Sequence, residues 1–215
     1  MRALIMAGGA GSRLNLGEKP LVSCCGRPMI SYVVDAFIYA GHEPVVAVTS
    51  RTPMTHNWCR ANGIASCSAK GNGYIEDMVE VVTALEETCP LFVSVSDIPC
   101  ITSAILKTIG DNYVQSRKDA CSTWVPASLV ASGSGPDFYC QEINGITACP
   151  VGINILRGDR IKEPQDELQL LLIDPRLAVN VNTRADLVAA DRLLTKDKYR
   201  SKKTLMNHAG SGKPK

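Results

Sequence analysis

Three clustered glycines and two cations are the residues of this sequence whose types and spacing most directly suggest chemistry. An apolar, strand-like run is followed by Gly8, Gly9 and Gly11, and then by Arg13 and Lys19. Glycines at the end of a strand let backbone N–H groups approach an anion closely, and a guanidinium or ammonium group can neutralise it. The pattern therefore predicts a phosphate-binding loop, against the alternative of a tight turn with solvated cations.

Two common phosphate-binding loops do not fit this stretch. A P-loop requires G-x-x-x-x-G-K-[ST], which the sequence does not contain, and a dinucleotide-binding loop requires G-x-G-x-x-G. Reading the second pattern from Gly9 and Gly11 places Leu14 at the position of the third glycine. What remains is a loop of backbone donors supported by Arg13.

The elements that must position this loop alternate between strand-like and helix-like runs. This order predicts a single α/β domain, Rossmann-like, with three α/β/α layers around a mostly parallel, mixed sheet. Because parallel strands share a carboxyl edge, we expect the glycine loop and its ligand to lie there. Strands are predicted at 2–6, 44–50, 64–67, 91–95, 120–125, 151–156 and 177–181, and helices at 29–40, after 53, at 75–87, 102–116 and 183–194.

The net charge of +2 conceals a basic end of the chain. Residues 195–215 hold seven of the 23 Lys and Arg residues but one of the 21 Asp and Glu residues, so residues 1–194 are net acidic. We expect the domain to span 1–194 and the remainder to be a disordered, solvated tail with no nucleic-acid partner. No apolar run reaches the length of a membrane span, and the N-terminal run is too short for a signal peptide, which predicts a cytoplasmic protein.

The nine cysteines form no C-x-x-C pair, so the sequence supports neither a zinc ribbon nor a redox motif. Most lie among apolar residues, as Cys67 and Cys121 do. This placement favours reduced, buried thiols in a reducing compartment. The three histidines show no ligand spacing and are assigned no role.

The glycine loop and its surroundings resemble the signature of a known enzyme superfamily. L-x-A-G-G-x-G-[ST]-R-[LM], followed by Lys-Pro, is typical of nucleotidyltransferases that join a nucleoside triphosphate to a phosphorylated acceptor. LIMAGGAGSRL at 4–14 matches it with one extra residue before the alanine, and Lys19-Pro20 supplies the second part. The resemblance implies a nucleotidyltransferase fold in which Arg13 and Lys19 neutralise the triphosphate. The loop that binds it would consist of Ala7, Gly8, Gly9, Gly11 and Ser12.

Two later segments resemble the metal-binding segments of the same superfamily. SVSDIP at 94–99 is similar to the strand end whose aspartate, here Asp97, holds Mg²⁺. NVNTRADL at 180–187 is similar to the segment whose asparagine, here Asn182, completes that site. Mg²⁺ commonly takes one or two protein ligands plus phosphate oxygens. Helix capping is the alternative for both residues, and the resemblance makes Asp97 catalytic together with Arg13 and Lys19.

Two more segments resemble regions that contact the nucleotide and the acceptor. KGNGYIEDM at 70–78 is similar to a stretch that touches the base, where Tyr74, Glu76 or Asp77 could accept from the guanine amine. All three could instead be first-turn helix residues. CPVGINIL at 149–156 is similar to a segment that lines the acceptor and ribose side. The GTP-binding residues implied by these segments are Gly71, Asn72, Gly73, Tyr74, Glu76, Asp77, Gly152 and Asn154.

Together these segments look most like the archaeal-type GTP:adenosylcobinamide-phosphate guanylyltransferase family. The resemblance implies transfer of GMP from GTP to adenosylcobinamide phosphate in cobalamin biosynthesis, with release of pyrophosphate. Three alternatives stay open: a molybdenum-cofactor enzyme, with which Glu18 is a shared feature, a sugar-phosphate nucleotidyltransferase, and a GTP-binding regulatory module without turnover. A homodimer, and a lid formed by the Ser- and Gly-rich residues 128–136, are also open.

Overall fold

A computed structural model describes residues 1–9, 14, 16–130 and 139–209 of the chain. Its strands are β1 (Arg2–Met6), β2 (Ser23–Cys24), β3 (Arg27–Pro28), β4 (Glu43–Val48), β5 (Ala65–Ser68), β6 (Pro90–Val95), β7 (Ala120–Pro126), β8 (Gln141–Ile143), β9 (Ile146–Arg157) and β10 (Glu167–Leu171). Its helices are α1 (Met29–Tyr39), α2 (Pro53–Ala61), α3 (Tyr74–Ala84), α4 (Ser103–Ser116) and α5 (Arg184–Ala209).

The main sheet confirms the predicted mixed, mostly parallel architecture. Its strand order is β10-β7-β9-β6-β1-β4-β5, with β8 paired to β9, and β2 and β3 form a separate hairpin. Strand β1 pairs in parallel with β4 and β6, β4 with β5, and β10 with β7. Strand β9 runs antiparallel to its three partners. The carboxyl ends of β1, β4 and β6 therefore meet at one edge of the sheet.

Alternation along β1 explains why helices cover both faces of the sheet. Ala3 and Ile5 belong to a core cluster that contains Phe37 of α1, whereas Leu4 packs with Val81 of α3 in a second cluster. Successive side chains of a strand point to opposite faces, so a strand that is buried throughout requires a layer on each side. The result is the predicted three-layer arrangement.

The predicted strand at 177–181 is wrong. Residues 175–178 form a turn, and the Val181 N–H donates to the Asp97 carbonyl at 2.9 Å instead of joining a ladder. The strand beside β7 is β10, an edge strand that alternates between exposed and half-buried residues. Leu177 and Val181 are buried in a turn and a loop, and an apolar run alone does not distinguish that environment from a strand.

The last helix is longer than predicted. Helix α5 continues to Ala209, so the backbone of 195–209 is helical where a disordered tail was expected. Lys and Arg, five of the 15 residues from 195 to 209, are good helix formers, and no Gly or Pro interrupts the stretch before Gly210. Although α5 has 26 residues, neither it nor any other described helix is apolar enough to cross a bilayer. The candidate lid at 128–136 falls largely on 131–138, outside the described residues.

One pair of cysteines departs from the expected free thiols. Cys140, just before β8, is joined to Cys149 on β9 by a disulfide. The sequence did not reveal this pairing because the hairpin of β8 and β9 aligns the two residues, and no strand was predicted between residues 126 and 150. The other seven cysteines are free, and burial raises the pKa of Cys59 to about 11 and that of Cys121 to about 12. Both therefore remain protonated thiols near neutral pH.

Candidate active site

The bend after β1 is fixed by hydrogen bonds to the neighbouring strand β4 and the residue that follows it. The Ala7 N–H donates to the Ala47 carbonyl at 2.9 Å, and the buried Thr49 hydroxyl donates to the Gly8 carbonyl at 3.0 Å. A Cβ atom at Gly8 would lie 2.5 Å from the Thr49 Cγ2 methyl group, so this position has room only for glycine. Gly11, Ser12 and Arg13 of the predicted loop lie outside the described residues.

A cavity of about 380 Å³ opens at the carboxyl edge of the sheet beside this bend. It is bordered by the residues that follow β1, β4 and β6 and by the loop before α3, as expected for a ligand site in an open α/β sheet. Its lining residues are Met6, Gly8, Gly9, Lys19, Arg51, Gly71, Asn72, Gly73, Tyr74, Asp77, Val95, Ser96 and Asp97.

Lys19 links the two predicted metal ligands. Its ammonium group forms an ion pair with Asp97 Oδ2 and donates to Asn182 Oδ1 at 2.7 Å. The Lys19 and Asp97 side chains are only 16% and 14% exposed, and Asp97 Oδ1 is buried without a hydrogen-bond partner among the described residues. The structure thus brings together three residues that are distant in sequence, and it leaves one carboxylate oxygen available for a cation.

Neither Asp97 nor Asn182 caps a helix, so the structure does not support helix capping as the role of either side chain. Helix α4 is capped by Thr102, whose hydroxyl accepts from the Ile105 N–H at 3.4 Å. At the start of α5, Asp186 Oδ2 accepts from the Thr183 N–H and hydroxyl at 2.8 and 2.9 Å. Both side chains instead contact the Lys19 ammonium group beside the cavity.

Glu18 anchors the loop that carries Lys19, a role that the sequence did not indicate. Its carboxylate accepts from the backbone N–H groups of Met54 and Thr55 at 2.7 and 2.6 Å, and from the Thr55 hydroxyl at 2.6 Å. These groups lie in the first turn of α2, where a negative charge is favourable because the N–H groups are otherwise unpaired. Glu18 thereby fixes the position of Lys19 relative to β4 and α2.

The loop at 71–73 is held by Asp77 from the first turn of α3. Asp77 is buried, and its Oδ1 accepts from the N–H groups of Gly71 and Asn72 at 2.9 and 3.0 Å. This oxygen is therefore committed to the loop and not to a guanine amine. Glu76 is exposed, packs its carboxylate against Gly73 and does not line the cavity.

Tyr74 and Arg51 complete the wall of the cavity on the α3 side. Although 41% of Tyr74 is exposed, desolvation in the cavity wall and the nearby negative charge of Asp97 raise the pKa of its hydroxyl to about 12, so the hydroxyl is neutral near pH 7. Arg51 Nη2 donates to the Gly71 carbonyl at 3.2 Å, and its backbone N–H donates to the Thr49 hydroxyl. Sequence reasoning missed Arg51, although its position directly after β4 places it on the ligand edge.

Gly152 supports the cavity from the side of β9. It has φ +81°, and a Cβ atom there would lie 2.9 and 3.0 Å from the two methyl groups of Val95, a lining residue. Asn154, two residues farther along the strand and next to Val93 and Ser122, does not line the cavity. Ala7 is likewise buried behind the lining and not exposed to the cavity.

We expect Gly152→Asp to reduce kcat/KM by about 100-fold or more, because it combines an unfavourable backbone conformation, displacement of Val95 and a negative charge near the cavity. Steady-state turnover and nucleotide titration of the purified variant would measure this. Gly145→Asp is the matched control, since Gly145 has φ +79° but no atom within 4 Å of its Cβ position. Near-normal nucleotide binding and turnover by Gly152→Asp would contradict the placement of β9.

Comparison with known proteins identifies relatives that share both the sequence pattern and the fold. Residues 3–138 match the model of the MobA-like NTP transferase domain. The chain is 32% identical over 203 residues to the adenosylcobinamide-phosphate guanylyltransferase of Methanocaldococcus jannaschii. The matched region covers 92% of this chain and 99% of that protein.

Solved structures of lower sequence identity share the fold. A synthetase described as CMP:2-keto-3-deoxy-manno-octonic acid synthetase, solved with CTP, superposes with a TM-score of 0.69 at 18% identity, covering 91% of this chain and 98% of that one. A hypothetical transferase from Thermus thermophilus gives a TM-score of 0.65 at 17% identity, covering 87% and 100%. The predicted fold class is therefore confirmed.

Proposed function

The chain is a nucleotidyltransferase that belongs to the MobA-like NTP transferase family, and we propose that it transfers GMP from GTP to adenosylcobinamide phosphate. An oxygen of the acceptor phosphate attacks the α-phosphorus of GTP and forms a new P–O bond. The bond from the α-phosphorus to the oxygen bridging to the β-phosphorus breaks, and pyrophosphate leaves with that oxygen and its electron pair. The name of the M. jannaschii relative supports this choice of acceptor and nucleotide.

The observation that carries the proposal is the position of the Lys19 ammonium group. It contacts Asp97 and Asn182 at the border of a cavity whose other wall is the Gly8–Gly9 bend. Phosphoryl and nucleotidyl transfer depend mainly on positioning and on neutralising negative charge. Backbone N–H groups of the bend would bind the phosphates, and Lys19 would lie next to the reacting α-phosphate. Arg13, outside the described residues, is assigned the departing pyrophosphate.

The residues at this point also fit a magnesium ion. Asp97 Oδ1 is a buried carboxylate oxygen without a hydrogen-bond partner among the described residues. The amide oxygen of Asn182 lies nearby, because Asp97 and Asn182 both contact the Lys19 ammonium group. In the part of the chain that the structure describes, no three His, Cys, Asp or Glu residues form a metal cluster. Such a site suits Mg²⁺, which usually relies on one or two carboxylates and on phosphate oxygens of the substrate. When bound, the ion would neutralise the triphosphate.

We assign the base and ribose of GTP to the opposite part of the cavity, beside Tyr74 and the loop at 71–73. Backbone groups of this loop, the Asn72 side chain and the neutral Tyr74 hydroxyl are among the donors and acceptors that line this part of the cavity. Asp77 contributes by holding the loop, while Glu76, Asn154 and Ala7 are not given direct contacts.

The test is pyrophosphate release from GTP and Mg²⁺ with each candidate acceptor in turn. We expect release with adenosylcobinamide phosphate alone. Release only with molybdopterin or a sugar phosphate would assign the enzyme to another acceptor, and GTP binding without release would favour a regulatory module. Glu18, the residue shared with molybdenum-cofactor enzymes, holds the first turn of α2 and does not reach the cavity, so it does not distinguish the two acceptors. We place the enzyme in the cytoplasm, and sedimentation analysis would determine whether it forms a homodimer.

Replacement of Arg51 by alanine is expected to raise the Kd of GTP about tenfold, equivalent to about 1.4 kcal/mol. The variant loses a guanidinium group in the cavity wall and the hydrogen bond that holds the Gly71 carbonyl. Calorimetric titration with GTP would measure the change, and Arg60→Ala, an exposed arginine on α2, is the control. An unchanged Kd would remove Arg51 from the nucleotide site.

A further inference from the structure

A second cavity, of about 350 Å³, lies between α5, the turn before it and the short segment after β7. Most of its lining is apolar, and its polar groups are two asparagines, one aspartate and two cations. The apolar lining residues are Leu129, Val130, Pro175, Ala178, Val179, Ala189 and Leu193, and the polar ones are Asn180, Asn182, Asp186, Arg192 and Lys196.

A chain of hydrogen bonds connects this second cavity to the nucleotide cavity. Asn182 Nδ2 donates to Asn180 Oδ1 at 3.0 Å, and Asn182 Oδ1 accepts from Lys19, which in turn pairs with Asp97. Asn180 and Asn182 line the second cavity, whereas Lys19 and Asp97 line the first. The two cavities therefore adjoin at the side chains to which we assign the reaction.

The charged groups give the second cavity a positive potential. Arg192 and Lys196 are four residues apart on α5, so they occupy the same face of the helix, and both are exposed. Neither forms an ion pair with the other described residues. Asp186, the one acidic lining residue, already accepts hydrogen bonds from Thr183 and the Asn182 N–H. Two neighbouring cations without an acidic partner are complementary to an anion.

We propose that the second cavity binds the phosphorylated arm of the acceptor, an inference that rests on the proposed function. The phosphate monoester would lie at the Asn182 end, next to Lys19, while the rest of the arm packs on the apolar lining. Arg192 and Lys196 attract the anion by their charge, which raises the rate of productive encounter. A volume of about 350 Å³ is near the lower end for ligand pockets. The cavity therefore accommodates the phosphorylated arm, while the corrin macrocycle that carries this arm stays at the mouth of the cavity.

The first test removes the charge. The variant Arg192→Ala/Lys196→Ala is expected to raise the KM for adenosylcobinamide phosphate about tenfold, to weaken the salt dependence of kcat/KM, and to leave the Kd of GTP unchanged. Lys107→Ala, an exposed lysine on α4, is the matched control. A KM for the acceptor and a salt dependence equal to those of the unsubstituted enzyme would overturn the inference.

The second test fills the cavity. Ala189 is half-buried in its wall, and Ala189→Trp is expected to lower kcat/KM for the acceptor at least about tenfold while GTP titration is unchanged, which also shows that the variant is folded. Ala104→Trp, on an exposed position of α4, is the control. Unchanged acceptor kinetics would overturn the inference. Failure of the unsubstituted enzyme to use adenosylcobinamide phosphate would instead overturn the proposed function, and this inference with it.

Discussion

Replacement of Asp97 by asparagine is expected to lower kcat/KM for the acceptor, adenosylcobinamide phosphate, by roughly 10³-fold. Asparagine preserves the size of the side chain but removes the negative charge that pairs with Lys19 and that fits a magnesium ion at the buried Oδ1. The backbone contact from the Val181 N–H to the Asp97 carbonyl does not depend on the side chain. The fold should therefore persist, and the loss should lie in turnover measured at saturating GTP and Mg²⁺.

A surface carboxylate provides the control for this variant. Asp35 pairs with Arg27 on the surface, and both side chains are more than a third exposed, at 34% and 45%. Because exposed ion pairs contribute little free energy, Asp35→Asn should retain nearly full activity. If Asp97→Asn kept more than about a tenth of the turnover, contrary to the loss expected for a charge at the reacting centre, the assignment of Asp97 would be wrong.

Replacement of Lys19 by glutamine is expected to lower kcat/KM by about 10²–10³-fold, because the variant loses the cation that we place beside the α-phosphate. It also leaves Asp97 without its ion-pair partner in a site that is mostly shielded from water, which should reduce the free energy of unfolding by about 2 kcal/mol. Turnover assays and urea unfolding would measure the two effects separately.

The effects of Lys19 and Asp97 should not add, since the two side chains contact each other. The double variant Lys19→Gln/Asp97→Asn should be less impaired than the product of the two single losses. Lys118→Gln, which breaks a surface pair with Asp166, controls for the loss of a lysine charge. Independent, multiplicative effects at positions 19 and 97 would argue against a shared centre.

The catalytic edge could be predicted from sequence because the parallel βα order directs the end of every parallel strand to the same side. This order placed the glycine loop at that edge, whereas Lys19 and Asp97 were assigned to the same site by the resemblance of their segments to nucleotidyltransferases. The strand at 177–181 was predicted wrongly because an apolar run can be buried in a turn or loop without forming the backbone hydrogen bonds of a sheet. β10 was missed because its alternating run, ELQLL, has only five residues, too few to distinguish a strand from other structures by periodicity alone.

The supporting contacts were harder to anticipate because they depend on side chains that meet only after folding. Glu18 pairs with residues 54–55, and Arg51 reaches Gly71, so neither contact has a local sequence pattern. The Cys140–Cys149 disulfide likewise depends on the alignment of β8 with β9. Asp77 carried an ambiguous signal, because a carboxylate in a first helical turn can face a ligand or hold the preceding loop.

The most direct test of nucleotidyl transfer is to follow GTP labelled at either the α- or the γ-phosphorus in reactions with adenosylcobinamide phosphate and Mg²⁺. We expect the α-label to appear in the corrinoid product and the γ-label in pyrophosphate, in equal amounts. Appearance of the γ-label in the corrinoid product, or its release as inorganic phosphate while the α-label stays in GDP, would contradict attack at the α-phosphorus.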